Sequence, residues 1–253
     1  MLRVACVLSI TLALTGVAHA DVTLKQKTGG KMAMGGSANG ESTQYIKGMR
    51  MRVDEGLSAT PTSQIIDLTA QQLIVLNPKR READVYDMTK LAAQISKVAG
   101  PDVKARLTPT TETRKIAGST CTVHSMQVSV PTEMGGEKIN LVISGPVCLS
   151  KDAPGRSEFA ALYKSGAFFG DPRTANAQPG HAKGLAMLYR EMASLGVPLA
   201  QEMNVKFEGS GPMAGMMAKV GGSSLTTEVV SISTEPIADA IFEIPAGYKI
   251  NKR

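Results

Sequence analysis

The chain has 253 residues, and its 28 Lys and Arg against 22 Asp and Glu give a formal net charge of +6. A nucleic-acid-binding protein would need a broad basic face interleaved with aromatic side chains, whereas this chain has five Phe, five Tyr and no Trp. We therefore expect no nucleic-acid partner. The unusual residue is methionine, which occurs 14 times.

Residues 1–20 have the pattern of a secretory signal peptide. Arg3 provides a positive start, residues 4–17 are mostly apolar, and Ala18-His19-Ala20 is a small-residue cleavage site. We expect cleavage after Ala20, export to the bacterial periplasm and no transmembrane segment in the mature chain. Residues 21–253 contain no linker long enough to divide them, so we expect one domain there.

Alternation of apolar and polar residues predicts a long antiparallel sheet. Around Gly48 two strand-like runs form a hairpin, with Met49, Met51 and Val53 on a dry face and charged residues on the other. Similar runs predict strands at 22–27, 64–68, 72–76, 82–88, 112–116, 123–130, 139–144, 199–208 and 225–233. Helical spacing predicts helices at 89–99, from Ser157 onwards, and at 181–195. A mainly β (α+β) fold follows, with a barrel, a half-barrel or a sandwich as the possible forms.

Two cysteines follow the predicted cleavage site, Cys121 and Cys148, and exported proteins commonly pair such residues. A hairpin centred between Met134 and Gly135 would place them directly opposite each other, on the face that carries Ser125 and other polar residues. We predict a disulfide on this polar face, away from any cavity. Buried free thiols and a metal pair are the alternatives, although no matching His or carboxylate spacing supports a metal.

Short stretches spread over most of the mature chain carry a further signal: YIKG at 45–48, MRVD at 51–54, IDL at 66–68, IVL at 74–76, IAG at 116–118 with Cys121, TTEV at 226–229 and FEIPAGY at 242–248. They resemble a family of exported bacterial proteins of unknown function, which is itself similar to the periplasmic carriers of outer-membrane lipoproteins. The resemblance implies an unclosed antiparallel β-barrel, or half-barrel, with a few helices packed on its concave face. It also implies acyl chains held on that face, and it offers no catalytic residues.

The leading hypothesis is a soluble exported protein that carries an apolar small molecule or lipid on the concave face of the half-barrel. The helix around Leu188 and Met192 is expected to act as a lid. The expected lining residues are Ile46, Met49, Met51, Val53, Ile66, Met126, Val128, Leu141 and Ile143. Only His124 and His181 survive cleavage, and neither has a sequence signature that pairs it with a nucleophile or a second ligand. We therefore expect no enzymatic activity and no cofactor.

Two alternatives stay open at this point. The chain could be an envelope-stress or structural module that docks another envelope protein through its sheet or helices. It could also bind copper(I), which soft thioether ligands select. The candidate methionine clusters are Met32 with Met34, and Met213 with Met216 and Met217.

Overall fold

The computed structural model of the chain describes residues 21–31, 36–56, 62–98, 102–165, 172, 175, 178–220 and 222–253. The predicted signal peptide lies outside these residues. The strands are β1 Val22–Lys31, β2 Ser37–Lys47, β3 Arg50–Glu55, β4 Thr62–Asp67, β5 Gln72–Asn77, β6 Glu82–Asp87, β7 Lys104–Ile116, β8 Ser119–Met134, β9 Glu137–Ser150, β10 Val197–Glu208, β11 Ser223–Ser233 and β12 Lys249–Lys252. The helices of the described residues are α1 Met88–Val98, α2 Arg156–Lys164, α3 Pro179–Met192, α4 Pro212–Val220 and a 3-10 helix at Asp239–Phe242.

All twelve strands belong to one sheet, in the order β12-β6-β5-β4-β3-β2-β1-β11-β10-β9-β8-β7. Neighbours are antiparallel except β12, which runs parallel to β6. The sheet is strongly curled, because Cα atoms of β7 and β11 come within 8 Å although three strands lie between them. A flat sheet would hold those two strands about 19 Å apart. The sheet does not close, so the predicted mainly β half-barrel is confirmed.

Both faces of the sheet are covered near β4 and β5. Ile66 and Leu73 belong to a large cluster shared with α1, α2 and α3, called here the main core. The adjacent residues Ile65 and Ile74 point the other way, into a smaller cluster with Phe242, called here the second core. Strands buried on two faces have continuous apolar runs rather than alternating ones, which explains the apolar character of these two strands.

Residues 234–248 cross the face opposite the helices and form what we call the C-terminal strap, which leads into β12. Lys47 Nζ donates to the Ile237 carbonyl at 2.7 Å, and Arg52 Nη1 donates to the Ile241 carbonyl at 2.8 Å. The Arg50 guanidinium binds the Asp239 carboxylate at 2.5 Å and lies 4.9 Å from the centre of the Phe242 ring. Hydrogen bonds from Arg50 and Lys47 hold the pKa of Asp239 below its usual range. The charged face of β3, expected to meet water, is therefore the surface that holds the strap.

The cysteine hairpin has a different register from the one expected. Met134 pairs with Glu137, so the turn consists of Gly135 and Gly136, and Val128 faces Ile143 rather than Leu141. Both glycines have positive φ, as a tight two-residue hairpin turn requires. The expected register, centred one residue earlier, is wrong because it did not use this glycine pair as the turn.

The disulfide between Cys121 and Cys148 is confirmed, with its Cα atoms 5.4 Å apart, but its predicted position is wrong. Cys148 lies opposite Val123 rather than opposite Cys121, so the bond joins diagonal positions. Both cysteines are buried in the main core, with 1% and 2% of their surface exposed. The burial alternation of β8 changes phase between Val123 and Met126, so that both sets of residues are buried. This change of phase turns the predicted polar face into a core face at the disulfide.

Candidate functional site

The main core is not filled everywhere, because the helix-covered face of the sheet borders a partly open cavity of about 220 Å³, called here the sheet cavity. Five strands, β1, β2, β3, β10 and β11, form its walls, and α2 and α3 cover it through Tyr163 and Tyr189. Its apolar lining residues are Met51, Val53, Pro198, Leu199, Ala200, Met203 and Leu225. Its remaining lining residues are Gln26, Thr28, Ser42, Gln44, Glu55, Gln201 and Thr227. The cavity is therefore amphipathic.

The polar wall is built by strand register. Ser42 of β2 pairs with Gln26 of β1 on one side and with Glu55 of β3 on the other. Gln26 Oε1 accepts hydrogen bonds from Ser42 Oγ at 3.3 Å and from Gln44 Nε2 at 3.1 Å. On the opposite wall, Gln201 Nε2 lies 3.4 Å from the Met126 sulfur. Buried amides are kept only where they are hydrogen-bonded or face a ligand or water, and these line an open space.

Two tyrosines close the helical side of the cavity. The Tyr163 and Tyr189 rings stack with their centroids 5.1 Å apart and an interplanar angle of 26°. Phe159 packs edge-on against Tyr163 with centroids 5.6 Å apart. Burial raises the pKa of Tyr189 to about 12 and also raises the pKa of Tyr163. Both phenols are therefore protonated at neutral pH, and the tyrosines make this wall of the cavity uncharged.

Two of the further cavities bear on the predictions made from the sequence. One, of about 330 Å³, lies among β1, β7, β8, β9, β10 and β11 and is lined in part by Cys148 and Val123. The disulfide is thus beside a cavity, contrary to the expectation that it lies away from any. The other, of about 510 Å³, is a groove between α1 and α3 with Leu91 and Ile95 on one side and Lys183 and Arg190 on the other.

The structure brings together only part of the expected ligand-binding set. Met51 and Val53 line the sheet cavity. The residues that are instead buried in the main core are Ile46, Ile66, Met126, Val128, Leu141, Ile143, Leu188 and Met192. Leu188 and Met192 are at most 1% exposed, so α3 buries them in the main core, while Tyr189 of the same helix covers the sheet cavity. The role of this helix as a lid stays a prediction. Met49 lies in the β2–β3 turn and is 41% exposed, outside the strand whose dry face it was expected to share.

Sequence reasoning missed the polar half of the cavity, although a signal exists. On the buried face of β1, apolar Val22 and Leu24 are followed at the same period by Gln26 and Thr28. A buried strand face that changes from apolar to polar along its length indicates a place where the core ends or opens. The alternation alone identifies the buried face of β1, and the change from apolar to polar residues along that face indicates the cavity.

The remaining chemistry is sparse within the described residues. They contain no group of three or more His, Cys, Asp and Glu side chains suited to a metal ion. His124 Nδ1 lies 3.0 Å from the Thr122 carbonyl oxygen, and His181, in the first turn of α3, lies 3.3 Å from the Gln178 side-chain oxygen. None of the helices described is both long and apolar enough to cross a membrane.

Of the methionine clusters proposed for copper, Met32 and Met34 lie outside the described residues. Met213, Met216 and Met217 lie on α4, where Met216 is 52% exposed. The copper interpretation stays a prediction. The docking alternative requires an apolar patch, and the large apolar side chains exposed in the described part of the chain lie on four separate elements: the β2–β3 turn, α4, β11 and β12.

No protein-family model and no curated protein matches the chain. Among solved structures it is similar to an uncharacterized conserved protein from Thermus thermophilus, with 9% identity over 93% of this chain and 92% of that one and a TM-score of 0.39. It is also similar to a LolA superfamily protein from Nitrosomonas europaea, with 8% identity, coverages of 89% and 91% and a TM-score of 0.31. A DUF1329 family protein from Desulfovibrio piger matches with 10% identity, coverages of 89% and 90% and a TM-score of 0.32.

Proposed function

We propose that the chain is an exported binding protein that holds an apolar ligand, such as the acyl chain of a lipid, in the sheet cavity. The observation that carries the proposal is the unfilled space of about 220 Å³ beside Met51, Val53 and Met203, on the helix-covered face of the sheet. Pockets for drug-sized ligands measure roughly 300–1,000 Å³. The sheet cavity is smaller, so it suits a short chain or the end of a longer one.

The residues of the apolar wall suit a ligand of this kind. Met51 and Met203 present unbranched thioether side chains, which adapt to irregular apolar shapes. Leu199 and Leu225 complete the wall with branched side chains. The stacked tyrosines close the opposite side. We propose binding rather than catalysis as the role of this space.

The proposed location outside the cytoplasm has two supports. Residues 1–20 have the composition of a signal peptide. The chain also has a disulfide between Cys121 and Cys148, and disulfides form and persist in oxidising compartments such as the bacterial periplasm.

The experiment measures displacement of the neutral fluorescent probe N-phenyl-1-naphthylamine by decanol, using protein refolded to remove any copurified lipid. Val53→Phe places an aromatic ring in the cavity wall, and we expect it to weaken decanol binding roughly tenfold or more, since overfilling a packed space forces strain. Val230→Phe, at a valine that is 46% exposed on β11, is the matched control and should leave binding unchanged. Equal affinity for decanol in the two folded variants, or no binding by the wild-type protein, would overturn the proposal.

A further inference from the structure

We infer that the chain has a second binding site, in the groove between α1 and α3, for single-chain amphiphiles with an anionic head group such as a phosphate. The groove, called here the helix groove, measures about 510 Å³, which is within the range of pockets that hold small ligands. None of the described residues lines both this groove and the sheet cavity. The inference therefore goes beyond the proposed function and does not depend on it.

The floor of the helix groove is apolar. Leu91 and Ile95 lie one turn apart on α1 and are each 7% exposed, and Met88, one turn earlier, is 8% exposed. On α3, Ala182 and Ala186 also lie one turn apart, and their short side chains leave room beside α1. An alkyl chain in this space would gain apolar contacts with both helices.

Cations stand on the α3 side of the groove. Lys183 and Arg190 both line it and are seven residues apart, which places them on the same side of the helix and about 10.5 Å apart along its axis. Two neighbouring carboxylates already accept hydrogen bonds, Glu191 from a backbone N–H of β7 at 2.9 Å and Asp87 from the Thr89 hydroxyl at 2.6 Å. A guanidinium group binds phosphate oxygens through paired N–H groups. The rim therefore favours an anionic head group over a neutral one.

This arrangement predicts an order of affinity at the helix groove. Decyl phosphate should bind more tightly than decanol, which has the same chain, because only the phosphate is attracted by the cations of the rim. Ion pairs near a protein surface give modest gains, so we expect an advantage of roughly fivefold. The advantage should shrink as the salt concentration rises. Inorganic phosphate, which has no chain to cover the floor, should bind more weakly than either.

Methionines allow the two sites to be observed separately. Met88 and Met187 line the helix groove, whereas Met51 and Met203 line the sheet cavity. The experiment follows the NMR signals of ¹³C-labelled methionine methyl groups, each assigned with a methionine-to-leucine variant. The protein is titrated with decyl phosphate and decanol below their micellar concentrations, with inorganic phosphate, and with an acidic amphipathic peptide. We expect decyl phosphate to shift the groove signals at concentrations roughly fivefold lower than decanol does.

Two variants, each with a matched control, test the residues that carry the inference. Arg190→Gln should weaken decyl phosphate binding in the groove several-fold and leave decanol binding there nearly unchanged. Lys219→Gln removes an exposed cation from α4 instead and should change neither affinity. Ala92→Phe places an aromatic ring in the groove from an exposed position and should weaken the binding of both ligands there. Ala93→Phe, at the adjacent exposed alanine that does not line the groove, should leave both affinities unchanged.

The outcomes separate this inference from the proposed function. Equal affinities of decyl phosphate and decanol at Met88 and Met187, or decyl phosphate binding unaffected by Arg190→Gln, would overturn the preference for an anionic head group. Shifts confined to Met51 and Met203 would overturn the groove site and support the proposed function. Groove signals that respond as strongly to inorganic phosphate, or that respond to the peptide and not to decyl phosphate, would overturn the assignment to an amphiphile. Groove signals that respond as predicted would support the inference even if decanol left Met51 and Met203 unchanged, a result that would count against the proposed function alone.

Discussion

Gly135 and Gly136 fix the register of the longest hairpin in the described part of the sheet. Their φ values of 61° and 79° belong to the left-handed region, which side chains other than glycine rarely adopt. Because the turn has only these two residues, every pair between β8 and β9 is determined by it. The pairing places Cys148 opposite Val123 and diagonal to Cys121, so that the disulfide lies within the main core.

At this position the disulfide should contribute strongly to stability. The cysteines are 27 residues apart, and closing a loop of that length corresponds to about 3.5 kcal/mol on the chain-entropy model. We expect the double variant Cys121→Ala with Cys148→Ala to lose about that much free energy of unfolding, measured by urea titration. The comparison is a urea titration of the wild-type protein in the presence of dithiothreitol, which reduces the disulfide. Its free energy of unfolding should then fall to nearly that of the variant. If the reductant leaves the wild-type curve unchanged, the bond does not stabilise the native state.

The C-terminal strap is the element that completes the second core. Phe242 is 6% exposed and packs in a cluster with Ile65 and Leu76. It is held in place by Arg50, which contacts both its ring and the carboxylate of Asp239. The ion pair is exposed to solvent, and pairs of this kind contribute little on their own. The packing of Phe242 is therefore the larger stabilising contribution.

The substitution Phe242→Ala tests this assignment. Removing a buried aromatic side chain costs about 3–5 kcal/mol when the site cannot collapse, so we expect a loss in that range in the free energy of unfolding. Ile250→Ala, at an isoleucine of β12 that is 56% exposed, should change stability by less than about 0.5 kcal/mol. Urea titration of both variants at pH 7 measures the difference. Similar small effects of the two substitutions would show that the strap does not seal a core.

The elements that the sequence predicts are those set by local pattern. The helix α1, the helix α3 and the hairpin around Gly48 are all present, with ends that differ by a few residues from the predicted ones. The role of the strap could not be predicted, because Asp239 meets Arg50 across 189 residues of sequence and no local pattern records that contact. The cavity could be predicted only in part, because its walls also join residues that are far apart in the sequence. Met51 and Val53 follow from the alternation of β3, whereas the meeting of Gln26 and Gln201 depends on the curl of the whole sheet.

At the scale of the whole molecule, the two faces of the sheet have different tasks. One face is sealed by the strap, and the other is covered by helices that leave the sheet cavity open beneath them. A ligand in that cavity would contact strands from both sides of β1 in the sheet order, since β2 and β3 lie on one side and β11 and β10 on the other. Binding should therefore stabilise the molecule as a unit rather than one hairpin alone.

Thermal unfolding with and without decanol measures this coupling. A ligand at a hundred times its dissociation constant raises the free energy of unfolding by about 2.7 kcal/mol if only the native state binds it. For a chain of this size each kcal/mol corresponds to roughly 2–4 °C, so we expect an increase in Tm of about 5–11 °C. The Val53→Phe variant should show a much smaller increase at the same decanol concentration. An equal increase in both proteins would indicate binding elsewhere on the surface.

The parallel pairing of β12 with β6 has a consequence for the molecule in a crowded compartment. Without β12, the backbone of β6 would present unpaired hydrogen-bonding groups along the sheet margin, which is a template for association with another chain. β12 is only four residues long and carries Lys249 and Lys252, and charged, short outer strands disfavour such association. At the other margin, β7 contains Pro109, which cannot donate a backbone hydrogen bond to an incoming strand. These features disfavour edge-to-edge association at both margins of the open sheet.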